Sequence, residues 1–407
     1  MRRGTLLLSL ALALSAAVGY GENWATWRGP RGDGISQEKK LLEVWPEAGP
    51  KLVWSAKVGD GYSSPIAADG KIYIFTIKEG KEALTCLDAV TGKQFWTQSY
   101  GPGRLSGYAG TRATPTLEGN ALYAFGANGV LLGVKATNGQ EVWKLDVLKE
   151  TGAKNIGWGT SSSPLVLEKE VIVQGGQGGP IAVAVDRITG KFKWRADRKG
   201  TSSYAAPILI EVDDVKQVII FSAEGAHALA PDTGKQIWFV PFKTGPGVNA
   251  ATPIYRDHHL FISGEYNHGC QMIKVTGTSG EKTWPEDRKE IMAKFPSPIL
   301  DGDVFYVNSA GTLKCVSWPD CKVKWENNEA RLGPGGSLMR VDDKLVMLGE
   351  TGLAYLVKAT PEGVTPISQF AAFPKGDNGI WSSPLVYNGK LYLKGGDELK
   401  CFNIAAK

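Results

Sequence analysis

Large aromatic side chains and one arginine recur at a fixed distance ahead of a proline in this sequence of 407 residues. A small residue followed by proline returns at spacings of 40 to 50 residues, and the residue three places before that proline is often large. The large residues, together with two close neighbours, are Tyr62, Arg112, Trp158, Tyr204, Asn249, Phe295 and Trp381. Tyr, Trp and Arg dominate the hot spots of protein interfaces. These side chains are expected to pack on one another and close the channel, or else to form a binding surface in which Arg112 and Trp381 are exposed.

The residue types that bind metals or act as nucleophiles are scattered along the chain. His268 and Cys270 could supply two metal ligands, but no third ligand is visible, and we predict no metal site and no catalytic residue. Cys315 and Cys321 are six residues apart on either side of one turn. Because an exported chain can keep disulfides, these two thiols could form a local disulfide or remain free, and both alternatives stay open.

The strands that would carry these residues are predicted from a sequence motif, here called the repeated phrase, that recurs along the chain. LTCLDAVTGKQFW, residues 84–96, is typical of a strand, a tight turn and a second strand that ends in Trp. The tryptophans at the ends of such strands are Trp54, Trp96, Trp143, Trp194, Trp238, Trp284 and Trp325. In most copies a glycine stands four residues before the Trp and suits the positive φ of a tight hairpin turn. Each Trp is expected to join one repeat to the next, since burying such a side chain stabilises a fold by about 1.5–3 kcal/mol or more.

The proline marks divide the chain into eight units, one of which is the degenerate Ser337-Leu338. Each complete unit holds four short strands, and no connection is long enough for the crossover helix of a parallel sheet. The last unit stops after its third strand, whereas Lys51 to Trp54 forms a fourth strand without a unit of its own. We therefore predict an all-β, eight-bladed β-propeller of four-stranded antiparallel blades. The N-terminal strand completes the last blade and removes an exposed sheet edge.

Three regions follow one another along the chain. Residues 1–19 are predicted to be a secretion signal, because Arg2 and Arg3 precede an apolar run too short to span a bilayer. Residues 20–50 form an irregular arm, and residues 51–407 form the propeller. The formal net charge of +5 does not indicate a basic surface for binding nucleic acid. We expect a soluble, monomeric protein with no membrane span, located in the periplasm or secreted.

The repeated phrase resembles the repeat of pyrroloquinoline-quinone (PQQ) propellers, which reads roughly Ala-x-Asp-x-x-Thr-Gly-x-x-x-Trp. Asp88, Thr91, Gly92 and Trp96 match it, as do the corresponding residues of the unit that ends at Trp194. The resemblance covers residues 51 to 404. It implies the eight-bladed fold and two classes of function. One branch consists of quinoprotein dehydrogenases that hold PQQ and Ca²⁺, and the other consists of propellers without a cofactor, such as the BamB-like outer-membrane assembly propellers.

The chain departs from both branches in its cysteines. It lacks the adjacent Cys pair of the quinone alcohol dehydrogenases, and it has no Cys before Cys86, so it lacks the lipoprotein cysteine of the assembly propellers. We expect an exported, non-catalytic binding or scaffold propeller without a cofactor, with an envelope or extracellular protein as partner. The alternative is a PQQ-dependent oxidoreductase of the alcohol or sugar dehydrogenase type. A carbohydrate or peptide binder is a third, weaker alternative.

Overall fold

Eight four-stranded antiparallel sheets form a β-propeller in the computed structural model, as the sequence predicts. The structure describes residues 21–104, 107–375 and 379–406. The predicted signal at residues 1–19 lies outside the described residues. Among the described residues, no helix has the length and apolar character needed to cross a membrane.

The arm and the strand after it precede the blades. They contribute β1 (Ile35–Ser36) and β2 (Lys51–Lys57). Blade 1 consists of β3 (Ile66–Ala68), β4 (Lys71–Lys78), β5 (Lys81–Asp88) and β6 (Gln94–Pro102), and blade 2 of β7 (Thr116–Glu118), β8 (Ala121–Phe125), β9 (Val130–Lys135) and β10 (Glu141–Asp146). The short helix α1 (Val147–Thr151) follows, and blade 3 consists of β11 (Leu165–Val166), β12 (Glu170–Gln174), β14 (Ala182–Asp186) and β15 (Phe192–Arg195). The ribbon of β13 (Gln177–Pro180) and β16 (Lys199–Thr201) extends this blade.

The remaining blades repeat the same order of strands. Blade 4 consists of β17 (Ile208–Val212), β18 (Val215–Phe221), β19 (Gly225–Leu229) and β20 (Gln236–Pro241), and blade 5 of β21 (Ile254–Arg256), β22 (His259–Gly264), β23 (Gly269–Val275) and β24 (Gly280–Lys282). Blade 6 consists of β25 (Ile299–Asp301), β26 (Val304–Ser309), β27 (Thr312–Ser317) and β28 (Val323–Asn327). Blade 7 consists of β29 (Ser337–Val341), β30 (Lys344–Leu348), β31 (Leu353–Thr360) and β32 (Gly363–Ala371), and blade 8 of β33 (Leu385–Tyr387), β34 (Lys390–Gly395) and β35 (Glu398–Asn403) together with β2.

The ring closes through β2, which pairs antiparallel with β35 from Lys51 opposite Asn403 to Lys57 opposite Glu398. Without β2 the third strand of blade 8 would present a free row of backbone donors and acceptors, which is an aggregation hazard. The predicted closure of the last blade by the N-terminal strand is confirmed. The two ends of the propeller sequence therefore lie in one sheet.

At five of the eight junctions between blades, a tryptophan of one blade covers a glycine of the next. The indole of Trp143 in blade 2 lies over Gly190 in blade 3, and its Nε1 donates to the carbonyl of Arg187 at 3.0 Å. A Cβ built on Gly190 would be 2.6 Å from the indole, which leaves no room for a side chain. Trp54 covers Gly92 in the same way across the closed seam. The glycine four residues before the Trp is thus the seat for the indole of the preceding blade.

The two cysteines near the turn of blade 6 pack on opposite faces of that blade, and of the two alternatives the structure favours free thiols over a disulfide. Cys315 lies in a cluster with Met347 and Tyr355 of blade 7. Cys321 lies in a cluster with Phe261 of blade 5. Both thiols are free and buried, because β27 and the turn after it direct the two side chains toward different neighbours.

The N-terminal arm runs along the inner strands of the ring. The backbone of Trp24 exchanges two hydrogen bonds with Ala67 of β3, at 2.7 and 3.0 Å, and the carbonyl of Ala25 accepts from Leu117 of β7. The indole Nε1 of Trp27 donates to Thr252 Oγ1, ahead of β21, at 3.0 Å. The arm therefore crosses from blades 1 and 2 to the opposite side of the channel.

The second half of the arm is anchored by a buried arginine and by strand pairing. Arg28 donates to the carbonyls of Gly32, Asp33 and Pro298, at 2.8, 3.0 and 2.7 Å. Burial lowers the pKa of its guanidinium to about 10, and the nearby Asp33 carboxylate acts in the opposite direction. β1 then pairs in parallel with β29 of blade 7. The arm, which the sequence predicts only as irregular, thus fills part of the channel.

Candidate functional site

A cavity of about 340 Å³ lies at the end of the channel where the inner strands begin. Seven of the eight residues that stand three places before the proline mark or its degenerate copy line this cavity. They are Tyr62, Arg112, Ser161, Tyr204, Ala250, Phe295 and Trp381. We call the cavity the aromatic cup, and its other ring-bearing walls are Trp27, Tyr108, Trp158 and Tyr266. The eighth position, Gly335, lies under Trp381, where a Cβ would be 2.5 Å from the indole.

Trp381 is the centre of a packed group of rings on one side of the cup. It stacks on Tyr62 with ring centroids 4.2 Å apart and an interplanar angle of 23°. Phe295 and Tyr108 lie 4.7 and 5.2 Å from it, and its Nε1 donates to Glu350 Oε1 at 2.7 Å. Trp381 is therefore half-buried, and the hypothesis that it is exposed is wrong. Its position is set by ring packing and by one hydrogen bond, which makes it a rigid wall.

Arg112 lies beside these rings with its guanidinium carbon 5.6 Å from the centroid of Tyr62. Its terminal nitrogens donate to the carbonyls of Gly110, Gly107 and Tyr108. Burial lowers the pKa of Arg112 to about 10; the positive charge of Arg104 lowers it further, while Tyr62 and Tyr204 raise it. The group stays charged at neutral pH and is half-buried rather than exposed. Within the described ranges, no carboxylate pairs with it.

A second cation reaches the cup from blade 6. Lys294 Nζ lies 5.1 Å from the ring centroid of Phe295 and 5.7 Å from that of Tyr266. It also lies 3.5 Å from Glu265 Oε2, so part of its charge is balanced. Burial raises the pKa of Tyr266 to about 12, and its phenol remains a neutral hydrogen-bonding group. The cup thus combines two cations with aromatic walls.

Two further rings form the wall contributed by blades 3 and 4. The centroids of Trp158 and Tyr204 are 6.2 Å apart with an interplanar angle of 60°. The backbone N–H of Trp158 donates to Tyr204 Oη at 3.3 Å, and burial raises the pKa of Tyr204. Trp158, Tyr108 and Tyr266 are exposed by 37%, 46% and 40%, which is unusual for rings of this size. These three side chains are the most exposed rings of the cup.

Trp27 of the arm lies between the cup and a second cavity. That cavity has a volume of about 620 Å³ and is lined by the arm and the inner strands of blades 2 to 6. Trp27, Ser163, Ala206 and Thr252 line both cavities. Because Trp27 is held by Thr252, the arm separates the two ends of the channel. The cup is therefore a closed depression and not an open pore.

One residue that was predicted to line the cup lies elsewhere, and several residues that do line it were not predicted from the sequence. Asn249 does not line the cup: it is fully buried behind the wall, where its Nδ2 donates to the carbonyl of Ser222 at 2.7 Å. Lys294 directly precedes the predicted Phe295, so a wider window around each proline mark would have found it. Tyr108 and Tyr266 lie in loops outside the repeated phrase, and Trp27 lies in the arm, where no periodic signal exists.

The two candidate metal ligands are used in other contacts. His268 Nε2 lies 3.0 Å from Asp287 Oδ2, and Asp287 also binds Lys282 at 2.9 Å. Cys270 is buried, and burial raises its thiol pKa to about 12. In the part of the chain that the structure describes, no three His, Cys, Asp or Glu side chains are grouped so that they could hold a metal ion.

The fold and the repeat define a PQQ-type propeller. A family model described as outer membrane protein assembly factor BamB matches residues 34–214 and 184–348. This chain belongs to that family. The BamB of Burkholderia pseudomallei is 30% identical over 312 residues, which is 72% of either chain.

Two other relatives carry the same description and differ in coverage. The BamB of Shewanella oneidensis is 27% identical over 384 residues, which is 88% of this chain and 89% of the relative. The BamB of Kangiella koreensis is 27% identical over 232 residues, and this match covers 54% of this chain and only 53% of the relative.

Solved structures agree on the architecture. The crystal structure of BamB from Moraxella catarrhalis has a TM-score of 0.63 at 17% identity, covering 88% of this chain and 98% of that chain. A quinohemoprotein alcohol dehydrogenase from Comamonas testosteroni has a TM-score of 0.69 at 14% identity, covering 95% of this chain and 81% of that chain. At these identities the likeness concerns the fold alone.

Proposed function

We propose that this chain is a non-catalytic binding propeller of the bacterial envelope that takes part in outer-membrane protein assembly. The proposal rests on family membership for the process and on the aromatic cup for the activity. Rigid rings with exposed faces and a nearby arginine are the chemistry of an interface hot spot. The cup is closed below by Trp27, so it suits a short inserted segment of a partner protein. The predicted secretion signal supports a location in the periplasm or outside the cell.

The cup can be tested by removing two of its three exposed rings, Tyr108 and Trp158. We expect Tyr108→Ala combined with Trp158→Ala to reduce partner binding at least tenfold, since hot-spot truncations cost 2 kcal/mol or more, about 30-fold. Phe95→Ala is the matched control, because Phe95 is an equally exposed ring, at 52%, on the outer strand of blade 1. Melting temperatures should stay within a few degrees for all variants.

The assay uses cells that lack the chromosomal copy and carry each variant on a plasmid. Levels of folded outer-membrane proteins report assembly, and photo-crosslinking from position 158, with position 95 as reference, reports the contact. We expect the double variant to reduce outer-membrane protein levels and Phe95→Ala to behave as wild type. Full complementation by the double variant, with no crosslink specific to position 158, would refute a binding role of the cup.

The quinone-dependent alternative needs several oxygen ligands for Ca²⁺ at the cup. Among the described residues, Glu350 is the carboxylate bonded to a cup ring, and it is not accompanied by two more acidic or histidine ligands. The described side chains do not fit a PQQ–Ca²⁺ group, and we derive no catalytic step from it. Asp377 lies outside the described residues. A titration with PQQ and Ca²⁺ that produces bound-quinone absorbance and dye reduction with alcohols would favour the dehydrogenase class.

A further inference from the structure

The described residues balance only part of the positive charge in the cup. The guanidinium of Arg112 has five N–H donors, and its three hydrogen bonds all go to neutral backbone carbonyls. Of the ion pairs formed by described residues, none includes Arg112, and the second cation, Lys294, has a single carboxylate at 3.5 Å. A ligand that brings a carboxylate would therefore meet a charge-assisted donor, and such hydrogen bonds are about twice as strong as neutral ones.

The walls on either side of this charge are rings. The packed group around Trp381 and the pair of Trp158 and Tyr204 both line the cup. Aromatic rings stack favourably with centroids 4.5–7 Å apart, and such pairs contribute about 0.5–1.5 kcal/mol beyond the area that they bury. An aromatic side chain is the group that gains most from these walls, while a positively charged side chain would be repelled by Arg112 and Lys294.

The size and closure of the cup limit what can enter. A volume of about 340 Å³ is at the lower end of the range for ligand pockets. Because Trp27 separates the cup from the other end of the channel, a chain cannot thread through it. A short loop or an extended segment that inserts one or two side chains satisfies these limits, whereas a helix or a sheet edge does not.

We propose that the cup recognises a short acidic-aromatic segment of a partner protein, in which an Asp or Glu side chain next to a Trp, Tyr or Phe binds Arg112 while the ring enters between the aromatic walls. This inference rests on the proposed function and specifies the chemistry of the bound segment. Arg112 acts as the residue that selects negative charge, and Lys294 supports it from blade 6. The exposed rings of Tyr108, Trp158 and Tyr266 make the first contact.

The test uses the purified mature chain and fluorescein-labelled peptides with the core Ser-Asp-Trp-Ser between Gly-Gly ends. Three matched peptides replace Asp by Asn, Asp by Lys, or Trp by Ala. Fluorescence anisotropy at low and high salt gives the dissociation constants. We expect the acidic-aromatic peptide to bind at least tenfold more tightly than each of the three others, and this preference to weaken as salt screens the charges.

Variants of the chain separate charge recognition from folding. Arg112→Gln should raise the dissociation constant of the Asp peptide at least tenfold and change that of the Asn peptide little. Lys294→Gln should have a smaller effect in the same direction. Arg195→Gln is the control, because Arg195 also lies over a ring, 4.1 Å from the centroid of Phe192, but on the outer strand of blade 3. It should bind as wild type, and a melting curve for each variant checks the fold.

Equal binding of the Asp, Asn and Lys peptides, no binding of any peptide, or Asp-peptide binding unchanged by Arg112→Gln would each overturn the proposal. These results would leave the proposed function standing if Tyr108→Ala with Trp158→Ala still fails to complement in cells. If that double variant also complements fully, the proposed function fails as well. The two experiments therefore distinguish an error about the ligand from an error about the cup.

Discussion

Gly190 is the seat of the Trp143 indole, and its replacement by alanine tests how the blades dock. Gly190 has a φ of +68°, and a left-handed backbone costs a residue with a Cβ about 1–2 kcal/mol. The new Cβ would also lie 2.6 Å from the indole, and overpacking of this kind costs about 1–3 kcal/mol. We expect Gly190→Ala to lower the free energy of unfolding by about 2–5 kcal/mol.

The control for backbone strain is Gly119→Ala in the turn between β7 and β8. Gly119 has a φ of +58°, but no atom lies within 4 Å of the position of its Cβ. This variant should lose only the 1–2 kcal/mol of the left-handed backbone. Urea unfolding followed by Trp fluorescence gives both values.

A double-mutant cycle shows whether the clash with Trp143 is the cause. In a Trp143→Ala background the indole is gone, so Gly190→Ala should cost no more than Gly119→Ala, with a coupling energy of about 1–3 kcal/mol between the two sites. If Gly190→Ala and Gly119→Ala destabilise equally in the wild-type background, the glycine serves only the turn, and our account of the repeat is refuted.

Three further results are expected. Deleting residues 21–57 should lower the melting temperature much more than deleting residues 21–50, because only the longer deletion removes β2 from blade 8; equal melting of the two would contradict closure by β2. Burial raises the pKa of Glu82 to about 7, so the folded state binds the proton more tightly than the unfolded state does. The free energy of unfolding of the wild type should therefore fall by up to about 3 kcal/mol as the pH rises from 4.5 to 7. Glu82→Gln should flatten this part of the plot of stability against pH, and an unchanged pH dependence would contradict an ionising Glu82. Thiol titration without reductant should find all five cysteines reactive after unfolding and resistant in the native state, whereas three reactive thiols in the unfolded chain would indicate a disulfide.

The periodic part of the structure could be predicted from sequence because each blade meets the same physical demands. A Pro without an N–H precedes the inner strand of seven blades, and a Trp ends the outer hairpin of seven, so both recur where the geometry recurs. The closure of the ring by Lys51–Lys57 was also predictable. The last unit lacks a fourth strand, and this N-terminal strand belongs to no other unit, so the two complete one blade.

The cup residues that could not be predicted lie outside the repeated sequence pattern of the blades. Trp27 reaches the cup from the arm, whose path depends on single contacts such as that with Thr252 and not on a repeat. Tyr108 and Tyr266 enter from loops with positive φ, at +58° and +61°, and loop direction is not encoded by hydrophobic alternation. Asn249 illustrates the opposite error, because its sequence position is adjacent to the cup while its side chain turns inward to bind the carbonyl of Ser222.

The pairing of β2 with β35 also sets the order in which the chain can fold. β2 precedes all eight blades along the chain, yet its partner β35 is the last strand of the ring and ends at Asn403. Contacts between residues this far apart are slow to form, and exposed strand edges are prone to aggregation until they do. The arm adds to the delay, since β1 pairs with blade 7. During synthesis the ring therefore stays open until β35 has been made.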